Sequence, residues 1–198
     1  MNGIPNNEDF EQQLINLASD RPEIYKSANS WFIKQGSKIT PILVEGLSND
    51  RLGSICHWRI LILLQYFAKE ETLPAIIKIL HIAIKQHNSI TIHGAMEALS
   101  VFCAPSATKT LIRALHEANL DIVKQAAVLL GRKGDLSAIE PLLNLLKSSD
   151  PSLRFSAIRG LIQLDSPIAS NYLIQHLQTE TDSENQLLIM SGASSNTL

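Results

Sequence analysis

Matching small and apolar residues recur in this sequence at intervals of 31 residues, and this repeat restricts the folds that the chain can adopt. Alanine and leucine recur at this spacing in four sets of three: Ala95, Ala126 and Ala157; Leu99, Leu130 and Leu161; Leu111, Leu142 and Leu173; Leu115, Leu146 and Leu177. A fixed period of roughly 20–50 residues indicates a solenoid or a repeat array. Such a protein works mainly by presenting an extended surface, so a deep catalytic pocket is not expected.

Within one period, the residues predict two helices separated by a turn. Apolar residues recur at helical spacing from Ile122 to Leu130, which predicts a first helix. Gly131 and Gly134 are predicted to break it, and Asp135 is predicted to cap the second helix, because its carboxylate can accept free amide hydrogens. The repeat therefore predicts helix pairs.

The same pairing extends with looser register toward the N-terminus. One early unit is offset by 36 residues instead of 31, which indicates an insertion at Lys85 to Ser89. We predict a capping helix in residues 1–21, a repeat solenoid in residues 22–181, and a short helix followed by a flexible tail in residues 182–198. Terminal repeats need such caps because one face of each would otherwise stay open.

Composition and charge narrow the function classes. The formal net charge is −2, whereas a general nucleic-acid binder carries a strong cationic footprint. The most apolar run, Ile60 to Phe67, is too short to cross a bilayer. The polar N-terminal residues, with Glu8 and Asp9, differ from an export signal. We therefore expect a cytoplasmic protein without nucleic-acid or membrane partners.

No residue pattern points to catalysis, a metal or a cofactor. The six histidines include no pair at the His-x-x-x-His spacing that binds zinc on one helix face, and we predict no metal site. Cys56 and His57 are neighbours, but neighbours on a helix do not face each other, so we expect an inert buried thiol. Cys103 is likewise expected to lie in the core.

Residues 134–146, followed by Asp150-Pro151-Ser152-Leu153-Arg154, resemble the HEAT-like repeat, in particular the short subtype first named for phycobilisome lyases. The resemblance covers residues 89–181 well and 22–88 more weakly. It implies an all-α, right-handed α-solenoid of about five antiparallel helix pairs with an N-terminal capping helix. It does not fix the function, because the subtype occurs in scaffolds, regulatory subunits, lyases, hydroxylases and DNA glycosylases.

The resemblance also implies that the second helix of each pair lines a concave face. Two columns of polar residues follow these helices: Glu45, Lys78, Arg113, Asn144 and Gln175; and Ser48, His81, His116, Lys147 and Gln178. We predict partner binding by eight of them: Glu45, Lys78, His81, Arg113, His116, Asn144, Lys147 and Gln175. The plain alternative is that any second helix needs a solvated stripe.

The sequence favours a non-catalytic scaffold or adaptor that binds another protein on the concave face, with the chain itself a monomer or a weak homodimer. An enzymatic role is the less favoured reading. The alternative function is a bilin lyase-type subunit acting on phycobiliproteins. Lys78, His81, Arg113 and His116 would then contact propionate groups or donate protons to a linear tetrapyrrole.

Overall fold

The structure is a computed structural model that describes residues 7–195. This range contains twelve α-helices and four short 3-10 turns, and no strand. The helices are α1 (Asn7–Leu17), α2 (Pro22–Gln35), α3 (Thr40–Leu47), α4 (Gly53–Phe67), α5 (Leu73–Lys85), α6 (Ser89–Ser100), α7 (Pro105–Ala114), α8 (Leu120–Lys133), α9 (Ile139–Leu145), α10 (Pro151–Gln163), α11 (Pro167–His176) and α12 (Ser183–Ser195). The all-α prediction is confirmed.

Local side-chain chemistry explains where the helices begin. Asparagine or aspartate side chains accept a backbone N–H at the start of α6, α8, α10 and the 3-10 turn before α9, through Asn88, Asn119, Asp150 and Asp135. These caps satisfy amide hydrogens that have no partner inside the helix. Asp135, which was predicted as a cap, also accepts a hydrogen bond of 2.6 Å from Thr108 on α7.

The 31-residue columns form the core. Eleven of the twelve column residues are buried, and Leu177 is half-buried. Leu142, for example, is 0% exposed. Because each fully buried leucine contributes about 1.5–3 kcal/mol, the residues that define the repeat in sequence are also those that stabilise the helix pairs.

The backbone contacts divide the chain into two units. In the first, Met1–Phe102, α1 packs against α2 and α4, and α4 packs against α6. Helix α1 buries Phe10, Leu14 and Leu17. The Phe10 ring meets the Phe32 ring edge to face, with centroids 5.3 Å apart.

In the second unit, Cys103–Leu198, helix α10 is central. It packs against α8, α9, α11 and α12, while α7 packs against α8. Helix α12 buries Ile189, and its first turn is capped by Asp182, whose carboxylate accepts the backbone N–H groups of Glu184 and Asn185.

Gly131 does not end helix α8, which continues to Lys133 and stops at Gly134 in the left-handed conformation (φ 72°). The prediction that Gly131 breaks the helix is wrong, for a reason that only the packing reveals. A Cβ at Gly131 would collide with the carbonyl group of Gly160 and would lie 2.5 Å from its Cα. Gly131 is therefore a site of close approach between α8 and α10.

The two cysteines differ. Cys56 is buried, its thiol donates to the Leu14 carbonyl over 3.4 Å, and burial raises its pKa to about 11. His57 instead contacts the Asn49 carbonyl through Nε2, and the predicted burial of the Cys56 thiol is confirmed. Cys103 is exposed, and its predicted core position is wrong. Helix α6 ends at Ser100, and the chain then turns Phe102 inward and Cys103 outward.

A short helix followed by a flexible tail was expected in residues 182–198, and the helix there, α12, runs from Ser183 to Ser195. It therefore occupies most of this segment. Residues 196–198 of that predicted tail lie outside the described residues.

Candidate partner-binding groove

A groove of about 650 Å³ lies between α9 and α11 in the second unit. Its α9 wall carries Glu140, Asn144 and Lys147. These positions are separated by four and three residues, so they share one face of the helix and its C-terminal turn. Leu143 and Leu146 add apolar surface between the polar groups.

The α11 wall of the groove is formed by Tyr172, Gln175, His176 and Thr179. Tyr172 is 46% exposed, so much of its ring is available to a ligand. The neighbouring column residue Leu173 points into the core. One face of α11 therefore holds the repeat together while the next face is presented to the groove.

Hydrogen bonds orient two of the groove side chains. The Lys147 ammonium group donates to the Asn144 side-chain oxygen over 3.0 Å. The His176 Nε2 atom lies 3.2 Å from the Glu180 carboxylate. The His176 side chain is only 19% exposed, so burial and the Glu180 contact fix its position at the edge of the groove.

The Glu180 carboxylate behind His176 is fully buried (0% exposed) and is surrounded by donors. Arg154 donates to it through Nη2 over 2.7 Å and through Nε over 2.9 Å. The backbone N–H groups of Thr181 and Asp182 and the Asn185 side chain donate as well. Such full pairing is what a buried charge requires.

These donors hold the pKa of Glu180 far below its usual range. The hydrogen bond from Arg154 is the largest cause; burial acts in the opposite direction, and the donors from Asp182, His176 and Thr181 add to the lowering. The ionised carboxylate therefore joins α10, through Arg154, to α11 and α12. It supports the groove wall without opening to the groove, since its side chain is fully buried.

The eight predicted partner-binding residues are all exposed. The structure brings three of them, Asn144, Lys147 and Gln175, together in the α9–α11 groove. In the same unit, Arg113 lies on α7 and His116 in the turn after it.

In the first unit, Glu45 lines a hollow of about 550 Å³ with α1 residues such as Glu11, and Lys78 lines a smaller hollow of about 140 Å³ beside Asp50. His81 is exposed one turn further along α5. That Glu45, Lys78 and His81 bind a partner stays a prediction.

Sequence reasoning missed several residues of the groove and its support. Tyr172, His176 and Thr179 lie three residues before, one after and four after the predicted Gln175. Spacing alone does not show which of them line the groove, because neighbours such as Gln175 and His176 lie on different faces of a helix. Arg154 and Glu180 are 26 residues apart in sequence. No local pattern connects them, because the pairing depends on how α10, α11 and α12 pack.

Across residues 7–195, no three His, Cys, Asp or Glu side chains cluster in a way that could hold a metal ion. No helix in that range has the length and apolar character needed to span a bilayer.

Comparison with known proteins supports the repeat. A family model described as HEAT repeats matches residues 125–191. No curated protein matches the sequence. Among solved structures, the complex of CpcE and CpcF of phycocyanin lyase from Nostoc sp. PCC7120 is 16% identical, with 99% of this chain and 79% of that chain covered and a TM-score of 0.55.

Human deoxyhypusine hydroxylase in complex with glycerol is 14% identical over 96% of this chain and 86% of that chain, with a TM-score of 0.48. The likeness to the phycocyanin lyase complex supports the α-solenoid prediction. Sequence identities this low give no information about activity. Residues 125–191 therefore match HEAT repeats, and the chain has a helical solenoid fold built from helix pairs.

Proposed function

We propose that this protein is a non-catalytic interaction scaffold that binds a segment of a partner protein in the groove between α9 and α11. One observation carries the proposal. Asn144 and Gln175, which occupy equivalent positions of two successive repeats, face the same groove together with Lys147 and the exposed ring of Tyr172. The groove therefore offers polar, charged and aromatic contacts over a continuous surface.

The side chains suit a polypeptide ligand. The amide groups of Asn144 and Gln175 each carry donors and an acceptor, which match the N–H and C=O groups of a peptide backbone. Tyr172 offers a rigid aromatic surface of the kind that is enriched at protein interfaces. His176 is held by buried Glu180, so this wall needs little ordering on binding.

The remaining predicted residues extend the proposed surface within each unit. Arg113 and His116 belong to the second unit, and Glu45, Lys78 and His81 to the first. Their exposure supports the proposal, and the charges of Glu45, Lys78 and Arg113 would affect the rate at which a partner associates more than the stability of the final complex.

The test is affinity capture from native lysate with mass-spectrometric identification, using the full chain as bait. Tyr172→Ala and Lys147→Glu should each lose the specific partner, because they remove an aromatic contact and reverse a charge in the groove. Tyr66→Ala is the matched control, since Tyr66 is 65% exposed on α4 outside this groove.

Equal capture of every specific partner by Tyr172→Ala, Lys147→Glu and the control would contradict the proposal. Lys78→Glu and Arg113→Glu, analysed in the same experiment, test the wider surface in the first and second units. Each variant is first shown to keep the wild-type melting temperature, so that loss of a partner reports binding.

A second candidate function is a bilin lyase-type subunit. It is supported by the fold likeness to a phycocyanin lyase complex, which extends over 99% of this chain, and by the resemblance of the repeat itself. Lys78, His81, Arg113 and His116 would then contact propionate groups or donate protons. Mixing the protein with a linear tetrapyrrole and a phycobiliprotein should then change the visible absorbance, and an unchanged spectrum at saturating pigment would rule this function out.

A further inference from the structure

The charges of the α9–α11 groove have a fixed arrangement, and this narrows the class of ligand if the proposed binding function holds. Glu140 and Lys147 are exposed at the two ends of the α9 wall. They lie seven residues apart, and a helix rises about 1.5 Å per residue, so roughly 10 Å separates the two positions. A negative and a positive end therefore define a direction along the groove.

The polar groups between these two charges carry no net charge. Asn144 lies between Glu140 and Lys147 on the same wall, and Gln175 lies on the opposite wall. The Asn144 oxygen accepts a hydrogen bond from Lys147, which leaves the N–H groups of that amide for a carbonyl of the ligand. The middle of the groove thus suits a peptide backbone.

A peptide in the extended polyproline II conformation has three residues per turn and rises about 3.1 Å per residue, so side chains three positions apart project from the same side and lie about 9 Å apart. We propose that the groove recognises an extended polypeptide segment that carries an acidic and a basic side chain three positions apart. The acidic side chain lies beside Lys147, the basic side chain beside Glu140, and the intervening backbone contacts Asn144 and Gln175. Tyr172 packs against the segment from the α11 wall.

Charge complementarity favours this ligand over a polyanion. A nucleic acid or a uniformly acidic peptide would place one of its negative groups beside Glu140, and like charges in contact are unfavourable. A uniformly basic peptide would meet the same problem at Lys147. A segment with one charge of each sign at the matching spacing avoids both.

The experiment selects binders from a random library of twelve-residue peptides against four forms of the full-length chain. These are the wild type, the charge-exchanged variant Glu140→Lys/Lys147→Glu, the variant Tyr172→Ala, and the control exchange Lys69→Glu/Glu71→Lys. The control keeps the net charge and changes two residues that are exposed outside the groove.

We expect wild-type binders to be enriched in one order of acidic and basic residues, three positions apart. The charge-exchanged variant should enrich the reverse order, the control should keep the wild-type order, and Tyr172→Ala should lose these peptides. A single Lys147→Gln substitution should weaken a selected peptide about two- to fivefold, as befits an exposed ion pair.

Peptides that depend on Tyr172 but show no charge pair, or the same order in the exchanged variant, would overturn this inference and leave the proposed scaffold function standing. The absence of any Tyr172-dependent peptide would overturn the groove as a peptide site, and the inference with it. Melting curves of all four forms establish that the comparison is made between folded proteins.

Discussion

The crossing of α4 with α6 in the first unit and the crossing of α8 with α10 in the second both depend on a glycine, but the two glycines face different neighbours. A Cβ on Gly94 of α6 would lie 2.6 Å from Cδ1 of the Trp58 side chain. A Cβ on Gly131 of α8 would collide with the backbone of Gly160. One crossing is limited by an indole ring and the other by the main chain itself.

The crossing of α4 with α6 can adapt to a substitution, whereas the crossing of α8 with α10 cannot. A ring can rotate or be replaced by a smaller side chain, so a substitution elsewhere can relieve an extra methyl group at Gly94. Main-chain atoms cannot be replaced, and α10 could retreat from α8 only by disturbing the packing around it. Gly160 on α10 also faces main-chain atoms of α8, since a Cβ on Gly160 would lie 2.5 Å from the Ala127 carbonyl oxygen.

The two units also differ in what an arginine of a first helix binds. Arg59 on α4 donates to the carbonyl oxygens of Leu17 and Ser19 over 2.6 and 2.7 Å and lies 4.1 Å above the Tyr25 ring centroid. Arg154 on α10 instead binds the buried Glu180 carboxylate. Both tie a first helix of a pair to a loop, but only the second places a full negative charge in the interior.

The largest effect is expected at the backbone contact. Gly131→Ala should lower the free energy of unfolding by at least about 4 kcal/mol, which is exceptional for one substitution, because no side chain can move to make room. Urea unfolding followed by circular dichroism measures the change.

Gly46→Ala is the matched control for Gly131→Ala. Its added Cβ would meet the ends of flexible side chains, Ile60 at 3.0 Å and Leu14 at 3.5 and 3.6 Å, while alanine raises helix propensity by up to about 1 kcal/mol. We therefore expect little change or a small gain. A loss below about 1 kcal/mol for Gly131→Ala would show that α8 and α10 do not approach as closely as their glycines allow.

The next largest effect concerns the buried charge. Glu180→Gln should lower the free energy of unfolding by about 3 kcal/mol near neutral pH, because Arg154, whose side chain is only 11% exposed, would keep its charge without its carboxylate partner. Unfolding by urea, measured for both proteins across a series of pH values, tests this, with Glu184→Gln as a control at an exposed carboxylate on the same segment.

The sign of the pH dependence follows from the lowered pKa of Glu180. The unfolded carboxyl has a pKa of about 4.3, so its stabilisation is fully present above that value and is lost as the pH falls through the lower folded pKa. The stability difference between the wild type and Glu180→Gln should therefore shrink below about pH 4. A difference that stays constant there would show that the pair with Arg154 does not set the effect.

These two sites also show where sequence reasoning stops. The periodic positions such as Leu142 and Ala157 could be predicted as core because each helix pair repeats the same local pattern. Gly131 was misread because a glycine inside a helix and a glycine that ends one look alike until the opposing backbone is known. Glu180 lies beyond the repeat columns, and its role depends on Arg154, which is brought to it by packing and not by sequence spacing.

In the groove, too, some residues could be predicted from the repeat and others depend on packing. Asn144, Lys147 and Gln175 could be predicted because they recur as polar positions on the second helices. The walls that complete the groove, including Tyr172 and His176, required knowledge of which face of α11 turns toward α9. Periodicity thus predicts the exposed stripe, and only the packing shows which parts of it form a groove.

The smallest expected effect lies in the first unit, where Gly94 faces the Trp58 side chain. Gly94→Ala should lower the free energy of unfolding by about 1–2 kcal/mol, since an added methyl group in a packed core forces the Trp58 ring to shift. Trp58→Phe in the Gly94→Ala background should recover part of that loss, because the smaller ring leaves room. A double-mutant cycle measures the coupling between the two positions directly.

A coupling of about zero would mean that the indole does not limit this crossing, whereas a favourable coupling would show that the first unit can adapt by changing a side chain.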